Sequence, residues 1–408
     1  MSLDGTSLTK SESQNVKKRW LYLSLLVNLG VLFLFKYFNF LSENIHHLFK
    51  AVNIFYDKPA YNFLLPVGIS FYTFQTLSYT IDVYNGRLKP ERDFLKFSLF
   101  VSFFPQLVAG PIERATHLIP QFSRKINWDY TRVTEAFRLM LWGFFKKVVI
   151  ADNLAIFVNV VYGDVQAYSG MALVWATLFF AVQIYCDFSG YSDIAIGSAK
   201  ILGFDLMTNF KRPYLSISIK EFWARWHISL STWFRDYVYI PLGGNKVVKW
   251  RWKINIFLTF LISGLWHGAN WTFVVWGFIH GVCTLLEASI KQRVNFQVPK
   301  IIGWLLTFIT VVVAWVFFRA NSLNDAILIF AGVTKIVGNG IIGVPTISPE
   351  TFIKLLLMIV TIFASDMILE NFKFKKQRWL HYTYTFTILI LIYMFGTFEE
   401  QEFIYFQF

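Results

Sequence analysis

Charged residues are scarce in this chain. Of its 408 residues only 15% are Asp, Glu, Lys or Arg, while 55% are hydrophobic and 19% are aromatic. Ordinary soluble domains carry roughly 25% charged residues, and a soluble protein of this length needs more polar surface than this composition provides. The composition therefore excludes a soluble globular protein and predicts one bundle of helices in lipid.

Cysteine and several common catalytic motifs are also rare or missing. Cys186 and Cys283 each lie inside an apolar run and give neither a disulfide framework nor zinc spacing. We expect both to be small core residues, with an acyl-carrying thiol as the alternative. The sequence contains no Gly-x-Ser-x-Gly elbow, phosphate-binding loop or His-Glu-x-x-His pattern. If the chain is an enzyme, the expected nucleophile is the hydroxyl of the acceptor itself.

Acidic residues are outnumbered by basic ones. The chain has 38 Lys and Arg against 25 Asp and Glu, a formal net charge of +13. The excess is concentrated between apolar runs, which is typical of cytoplasmic loops under the positive-inside rule. We therefore predict no nucleic-acid partner, cytoplasmic basic loops and a C-terminal tail outside. The basic clusters lie within residues 10–19, 87–92, 200–220, 246–253 and 373–378.

Apolar runs of roughly bilayer length recur along the chain. They predict an all-α polytopic membrane protein with about ten transmembrane or embedded helices around a central funnel. Residues 1–19 are polar, lack the features of a signal peptide, and are predicted to lie in the cytoplasm before a single domain over 20–408. The runs are at 20–40, 63–84, 96–112, 133–162, 170–202, 254–268, 270–290, 301–318, 352–370 and 380–397.

The charge pattern indicates that one run within 96–162 does not cross the membrane. Three runs separate the second basic cluster from the third, and an odd number cannot place both clusters on one side. Prolines and a glycine over 105–111 interrupt one run, and Lys146 and Lys147 lie in the middle of another. Broken helices are tolerated at membrane depth only when buried in protein or lining a wet cavity. We expect a broken or re-entrant segment that forms part of the funnel.

Residues 213–245 are too polar to span a membrane and are rich in aromatic side chains. Ser218 and Glu221 form a capping-box pattern, after which aromatic residues recur at helical spacing. We predict one interfacial amphipathic helix that ends before a turn at 241–244. Three charged residues of this helix either bind phosphates of a donor or solvate its polar face: Arg225, Arg235 and Asp236.

His267 is the strongest candidate for catalysis. It lies between Trp266 and Gly268 in a run that is otherwise apolar, and an ionisable residue at membrane depth is costly enough to indicate function. Burial would keep the imidazole neutral, as a general base requires. Gly268 would leave space for a substrate or another helix, and Asn270 is a candidate for the funnel lining. The alternative role for His267 is an interhelical hydrogen bond.

Two further histidines carry weaker signals. His227 lies on the predicted amphipathic helix, near Trp223 and Leu230 by helical spacing, and alone it is typical of an interfacial residue. His280 follows His267 by thirteen residues, or about 20 Å on a continuous helix. We therefore predict a structural or interfacial role for His280 and no metal site.

Two carboxylates, Asp187 and Asp193, interrupt a long apolar run. Their spacing of six residues does not place them on one helical face. Asp187 and Ser189 either line a polar cavity or cap a helix break at Gly190.

Two long motifs resemble those of the membrane-bound O-acyltransferase family. The first runs from Arg225 to Gly244 and contains His227, and the second runs from Gly264 to Trp271 and contains His267. The likeness covers most of the chain from residue 63 onward. Shorter stretches that look like the bacterial branch of alginate O-acetyltransferase-like proteins lie at 106–112, 187–193 and 403–408.

The resemblance implies both a site and a reaction. The family's catalytic histidine matches His267, which would remove the proton from the attacking hydroxyl. Its second motif histidine matches His227, which would orient or polarise the acyl donor. The implied donor is acetyl-CoA or another acyl thioester, used as a co-substrate without a tightly bound cofactor. The implied acceptor is a cell-envelope or exported polysaccharide, reached from the inner membrane with an exported hydrolase-like acetyltransferase as partner.

Other functions stay open at this point. D-alanyl-type transfer from a carrier protein to teichoic-type polymers belongs to the same family. A transporter or flippase would explain embedded charges and broken helices, but neither it nor a non-catalytic scaffold explains the two histidine motifs. Alginate-type members have further hydrophobic helices before the span at 20–40, so we also expect the chain to be a truncated or mis-started form.

Overall fold

The computed structural model describes residues 14–56, 66, 68–107, 110–293, 298–335, 344, 347–371, 378–398 and 403–404. All regular structure in these ranges is helical, which confirms the all-α class. The α-helices are α1 (Gln14–Leu32), α2 (Phe38–Ala51), α3 (Ile69–Tyr84), α4 (Phe94–Ser102), α5 (Ala115–Leu118), α6 (Tyr130–Phe144), α7 (Asp152–Gly163), α8 (Met171–Ile201), α9 (Ile219–Arg225), α10 (Ile228–Phe234), α11 (Lys249–His267), α12 (Trp271–Arg293), α13 (Lys300–Arg319), α14 (Leu323–Val333), α15 (Pro349–Asn371) and α16 (Arg378–Phe395). Three π-helical segments continue a helix: Phe33–Tyr37 after α1, Phe145–Ala151 after α6 and Arg235–Tyr239 after α10.

Several helices expose apolar faces that a soluble protein would bury. Leu26 on α1, Ile301 on α13 and Leu357 on α15 are 70%, 78% and 61% exposed. Such faces are stable in contact with lipid, so the chain is a multi-pass membrane protein. In the described ranges, five helical stretches are long and apolar enough to cross a membrane: Gln14–Ala51, Met171–Ile201, Trp271–Lys291, Lys300–Arg319 and Pro349–Ile368. The larger count of about ten embedded helices, and the funnel, stay predictions.

The segment 96–162 is broken, as the charge pattern predicted. Helix α4 has only 9 residues and ends at Ser102, and the described residues from Phe103 to Arg114 contain no α-helix. Further on, α6 passes through a π-helical segment that contains Lys146 and Lys147 before it continues as α7. Neither run is a single uninterrupted α-helix.

Lys146 and Lys147 are satisfied by acidic partners. Lys146 Nζ lies 2.7 Å from Asp193, and Lys147 Nζ lies 2.8 Å from both Asp152 and Asp187. Buried charges are tolerated when they are paired in this way. The two lysines therefore join the π-helical segment to α8 in the interior of the bundle.

Helix α8 is continuous through Gly190, so of the two roles considered for Asp187 and Ser189, capping a helix break is wrong. The reason is close packing: a Cβ at Gly190 would lie 2.7 Å from the carbonyl oxygen of Gly143 on α6. Asp187 accepts a hydrogen bond from the backbone N–H of Ile404 at 2.8 Å as well as pairing with Lys147. Asp187 thus anchors the C-terminal residues inside the bundle and does not cap a helix.

The prediction of a single amphipathic helix over 213–245 is also wrong. The chain forms two helices of seven residues, α9 and α10, that are separated at Trp226 and His227. Ser218 does cap α9, since its Oγ accepts from Glu221 N at 3.1 Å, and a turn follows at Gly243 as predicted. His227 has a left-handed backbone with φ of 43°, which removes the helical spacing that related it to Trp223 and Leu230.

Basic residues gather at one end of three long helices. Helix α11 begins at Lys249, α12 ends at Arg293 and α13 begins at Lys300. Neighbouring helices in this group are antiparallel. Between α11 and α12, Gly264 lies against Phe273 and Gly281 lies against Phe257, and near one end of α12 Phe273 and Trp276 contact Phe318 and Trp315 of α13. The opposite end of this helix group carries the C-termini of α11 and α13.

Cysteine labelling tests which side of the membrane these ends face. We expect a cysteine at Lys249 to react with a membrane-impermeant maleimide only after permeabilisation, because basic loops stay in the cytoplasm. A cysteine at Asn321, at the opposite helix ends, should react in intact cells. Labelling of the Lys249 position in intact cells would reverse the orientation. Lys375, in another predicted cytoplasmic cluster, lies outside the described residues, as does most of the C-terminal tail.

Candidate active site

His267 is the last residue of α11 and is only 7% exposed. Its ring lies 5.1 Å from the Trp276 ring and 5.3 Å from the Phe318 ring, measured between centroids. Gly268 then turns the chain in an extended conformation. The space beside Gly268 is filled by the Phe273 ring, which an added Cβ would overlap. Gly268 therefore allows the close helix packing that was one of its two predicted roles.

The end of α11 is held by side chains from the first long helix. Lys36 Nζ donates to the carbonyl oxygens of Trp266 and His267, both at 2.9 Å. The Tyr37 hydroxyl donates to the carbonyl of Leu265 at 2.9 Å. The last carbonyls of a helix have no partner within the helix, so a lysine at this end stabilises it by hydrogen bonds and by charge. Lys36 and Tyr37 thereby fix the backbone that carries His267.

We expect Lys36→Met to lower the acyl-transfer rate by about tenfold, because two charge-assisted hydrogen bonds to the backbone of Trp266 and His267 are lost. Lys36→Arg should recover part of the rate, since it keeps a cationic donor. The measurement is the rate per molecule of membrane-inserted chain, with abundance determined by immunoblot. A normal rate for Lys36→Met at normal abundance would show that this cap does not position His267.

His227 is 2% exposed and has a defined hydrogen-bond partner. Its Nδ1 lies 3.0 Å from Asn209 Oδ1. Asn209 Oδ1 also accepts from the backbone N–H and the hydroxyl of Ser229, and Asn209 Nδ2 donates to Ser192. Because these contacts fix the amide oxygen toward the ring, His227 Nδ1 must be the protonated nitrogen. His227 Nε2 is then unprotonated and accepts hydrogen bonds.

Both histidines are buried, and an aromatic residue links the segments beside them. The pKa of His227, which lies outside the candidate membrane spans, is lowered well below its usual value, first by burial and then by the electrostatic influence of His267. Phe74 on α3 contacts both segments. Its ring stacks on that of Trp266, directly before His267, at 3.8 Å between centroids, and lies 4.2 Å from the ring of Trp233, in the helix after His227. Two buried, neutral imidazoles are thus held within electrostatic range of each other.

A cavity of about 650 Å³ adjoins the end of α11. Its wall includes Gly268, directly after His267, and also Lys36 and Arg319. Asn270 lines it too, where its amide donates to the carbonyl of Asn321 at 3.0 Å and its oxygen accepts from the backbone of α12. The structure therefore places Asn270, a sequence-predicted funnel residue, beside His267.

The three charged residues that were predicted to contact a donor do not line this cavity. Arg225 pairs with Glu221 at 2.7 Å, one turn earlier on α9. Arg235 donates to Asp236 at 2.8 Å, and Asp236 lies 3.7 Å from Arg114. These residues belong to charged pairs outside the cavity, and their proposed contact with a donor stays a prediction.

His280 is fully buried and not interfacial. Its Nδ1 accepts from Trp223 Nε1 at 3.4 Å, and its ring contacts the rings of Trp276 and Phe222. Trp276 also contacts His267. This aromatic environment agrees with a structural role for His280.

Lys36, Asn209 and Arg319 were not identified from the sequence. Lys36 lies inside an apolar run. An ionisable residue at membrane depth is costly, so this position was a signal that could have identified it. Arg319 has the position of an ordinary basic residue at a helix end. Asn209 had no signal, because its contact with His227 depends on the break between α9 and α10.

Comparisons with known proteins show what the chain is similar to. The model of the membrane-bound O-acyltransferase family matches residues 91–325, more than half of the chain and a range that contains both histidines. A probable alginate O-acetylase of Pseudomonas putida is 43% identical over 311 residues, which cover 76% of this chain and 63% of that protein. A peptidoglycan O-acetyltransferase of Helicobacter pylori is 37% identical over 351 residues, 79% of this chain and 66% of that protein. A teichoic acid D-alanyltransferase of Bacillus subtilis is 29% identical over 269 residues, 62% of this chain and 63% of that protein. The chain thus spans less than two thirds of the length of these relatives.

Proposed function

Because the chain belongs to the membrane-bound O-acyltransferase family, we propose that it transfers an acetyl group to hydroxyls of a cell-envelope or exported polysaccharide. The donor is acetyl-CoA or another acyl thioester from the cytoplasm. The observation that supports this most directly is the pair of buried histidines, His227 and His267, together with a cavity whose wall includes Gly268, directly after His267.

The proposed chemistry is direct transfer. His267 accepts the proton of the acceptor hydroxyl while the hydroxyl oxygen attacks the thioester carbonyl. The carbon–sulfur bond then breaks, and the thiol leaves with a proton. The expected contribution of the base is about 10²–10⁴-fold in rate. A neutral imidazole is needed for this role, and the burial of His267 supports it.

His227 has an orienting role in this proposal. With Nδ1 donating to Asn209, Nε2 can accept a hydrogen bond from an N–H of the donor. In this tautomer His227 cannot polarise a carbonyl by donation, so orientation is the role that its hydrogen bonds support.

The proposed setting is the inner membrane, where about ten transmembrane or embedded helices surround a funnel between the donor side and the acceptor side. An exported hydrolase-like acetyltransferase is the proposed partner on the acceptor side. D-alanyl transfer is the second candidate, and the relative in Bacillus subtilis supports it.

The test is ester analysis of envelope polymers. Cells without their own O-acetyltransferases would express the full chain, alone and with the exported partner candidate from a neighbouring gene. We expect new O-acetyl esters by mass spectrometry and no new D-alanyl esters. D-alanyl esters alone would support the second candidate, and the absence of any new ester under both conditions would contradict acyl transfer.

A further inference from the structure

A second cavity, of about 550 Å³, lies in the loop before α6. It shares no lining residue with the cavity beside His267. Three cationic side chains line it, those of Arg124, Lys125 and Arg132. Asp129 is also in its wall, but the Asp129 carboxylate accepts from the backbone N–H of Arg132 at 3.1 Å and caps α6. The cavity therefore carries an excess of positive charge.

The loop that carries these residues is held against the ends of two helices. The Ile126 side chain packs on Gly203, just after α8, where an added Cβ would overlap it. Arg132 Nη2 donates to the carbonyl of Asn127 at 3.0 Å. The side chains of Arg124 and Lys125 have neither an ion pair nor a hydrogen bond with another described residue. A fixed loop thus presents two cations that are available to a ligand.

An aromatic stripe on α6 leads away from the cavity. Tyr130, which lines the cavity, is followed by Phe137 and Phe144 at intervals of seven residues, so the three share one helical face. All three are exposed. The stripe is about 21 Å long at 1.5 Å per residue, which exceeds one bilayer leaflet of roughly 15 Å, half of the hydrocarbon core. In a protein that crosses the membrane, such a face contacts acyl chains.

The cavity lies on the side of the membrane that the basic loops are predicted to face. Lys200, in the last turn of α8, pairs with Glu135 on α6 at 2.9 Å, and Lys200 belongs to the basic cluster over 200–220. Anionic lipids of the cytoplasmic leaflet attract basic residues at this level. Exposed Trp and Tyr are typical of the membrane–water interface, and Trp128 and Tyr130 are 76% and 72% exposed.

We propose that residues 124–132 and the aromatic stripe of α6 bind an anionic phospholipid of the cytoplasmic leaflet. The lipid phosphate lies between Arg124, Lys125 and Arg132, and an acyl chain follows the stripe. Guanidinium groups hold phosphate oxygens by paired hydrogen bonds, and a lysine adds a point charge. The cavity volume is within the range of roughly 300–1,000 Å³ that small-molecule sites occupy. The inference does not depend on the proposed acetyl transfer.

Native mass spectrometry of the purified full chain in mild detergent tests the site without requiring turnover. The probes are dioleoyl phosphatidylglycerol and dioleoyl phosphatidylcholine, which share their acyl chains and differ in headgroup charge. We expect the first phosphatidylglycerol to bind about tenfold more tightly than the first phosphatidylcholine, and its affinity to fall as salt is added. Glycerol 3-phosphate, which lacks acyl chains, should compete only at concentrations about 100-fold higher.

Paired substitutions provide the matched comparison. Arg124→Gln with Lys125→Gln should weaken phosphatidylglycerol binding by about 30-fold, or about fivefold for each cation, and leave phosphatidylcholine unchanged. Arg124→Lys with Lys125→Arg keeps both charges and should bind as the wild type does. Lys246→Gln with Lys249→Gln removes the same charge from another basic cluster and should also bind normally. Melting of each purified variant shows that it is folded.

Equal affinity for the two lipids, normal binding after Arg124→Gln with Lys125→Gln, or an equal loss after Lys246→Gln with Lys249→Gln would overturn the inference. Displacement of phosphatidylglycerol by equimolar inorganic phosphate, glycerol 3-phosphate or acetyl-CoA would assign the cavity to a soluble phosphate compound and would also overturn it. Binding of phosphatidylglycerol that needs Arg124 and Lys125 and resists these competitors would support the site, whether or not acetyl transfer is found.

Discussion

Replacing His267 with alanine is expected to lower acyl transfer by about 10²–10⁴-fold, while the chain remains folded and inserted in the membrane. The imidazole lies at the end of α11, and its burial keeps it neutral and able to accept a proton. Lys36 holds the backbone at this point independently of the side chain. The measurement is O-acetyl content of the polymer, divided by the amount of chain in the membrane.

His280→Ala is the control for loss of a buried histidine from the same aromatic cluster. It should lower abundance, because a fully buried ring that accepts from Trp223 is removed, but retain most activity per molecule. If His267→Ala were abundant and acetylated polymer at nearly the wild-type rate, His267 would not be the base. If only His280→Ala were inactive per molecule, the roles of the two histidines would be reversed.

His227→Ala is expected to reduce transfer by about 10²-fold, less than the largest loss expected at His267, because its proposed role is orientation of the donor. Asn209→Leu should reproduce part of this loss, about tenfold, since it removes the acceptor that fixes the His227 tautomer. Asn209→Asp keeps an acceptor at this position and should be more active than Asn209→Leu. Rates are measured over a range of donor concentrations.

The dependence on donor distinguishes orientation from a purely structural role. An orienting residue changes the rate at saturating donor or the donor KM, whereas a structural loss lowers the amount of active chain and leaves the donor KM unchanged. If His227→Ala and Asn209→Leu reduced abundance alone, His227 would be a core histidine with no part in transfer.

The sequence was sufficient to predict the helical class and to mark His267 as a candidate residue. Composition predicts lipid exposure, and the cost of a histidine in apolar sequence marks His267. Proline and lysine in apolar runs likewise predicted the break within 96–162, because both interrupt a regular crossing.

Contacts between distant segments were not predictable in this way. Lys36 and His267 are 231 positions apart, and no local pattern relates them. The left-handed conformation of His227 was missed because helical periodicity continues on both sides of it, so the sequence favours one helix where the structure has two. The packing partner of Gly268 was not predictable for a similar reason: the ring beside it, Phe273, lies on the next helix.

The central claim is that an acetyl group passes from the basic-loop side of the chain to the cavity beside His267. The most direct measurement uses sealed proteoliposomes with uniformly oriented full-length chain, radiolabelled acetyl-CoA on the basic-loop side and an oligosaccharide acceptor on the opposite side. We predict that the acceptor becomes labelled with the wild-type chain and that the label falls to background with His267→Ala. Equal labelling by His267→Ala, or labelling only when donor and acceptor share one side, would contradict the claim.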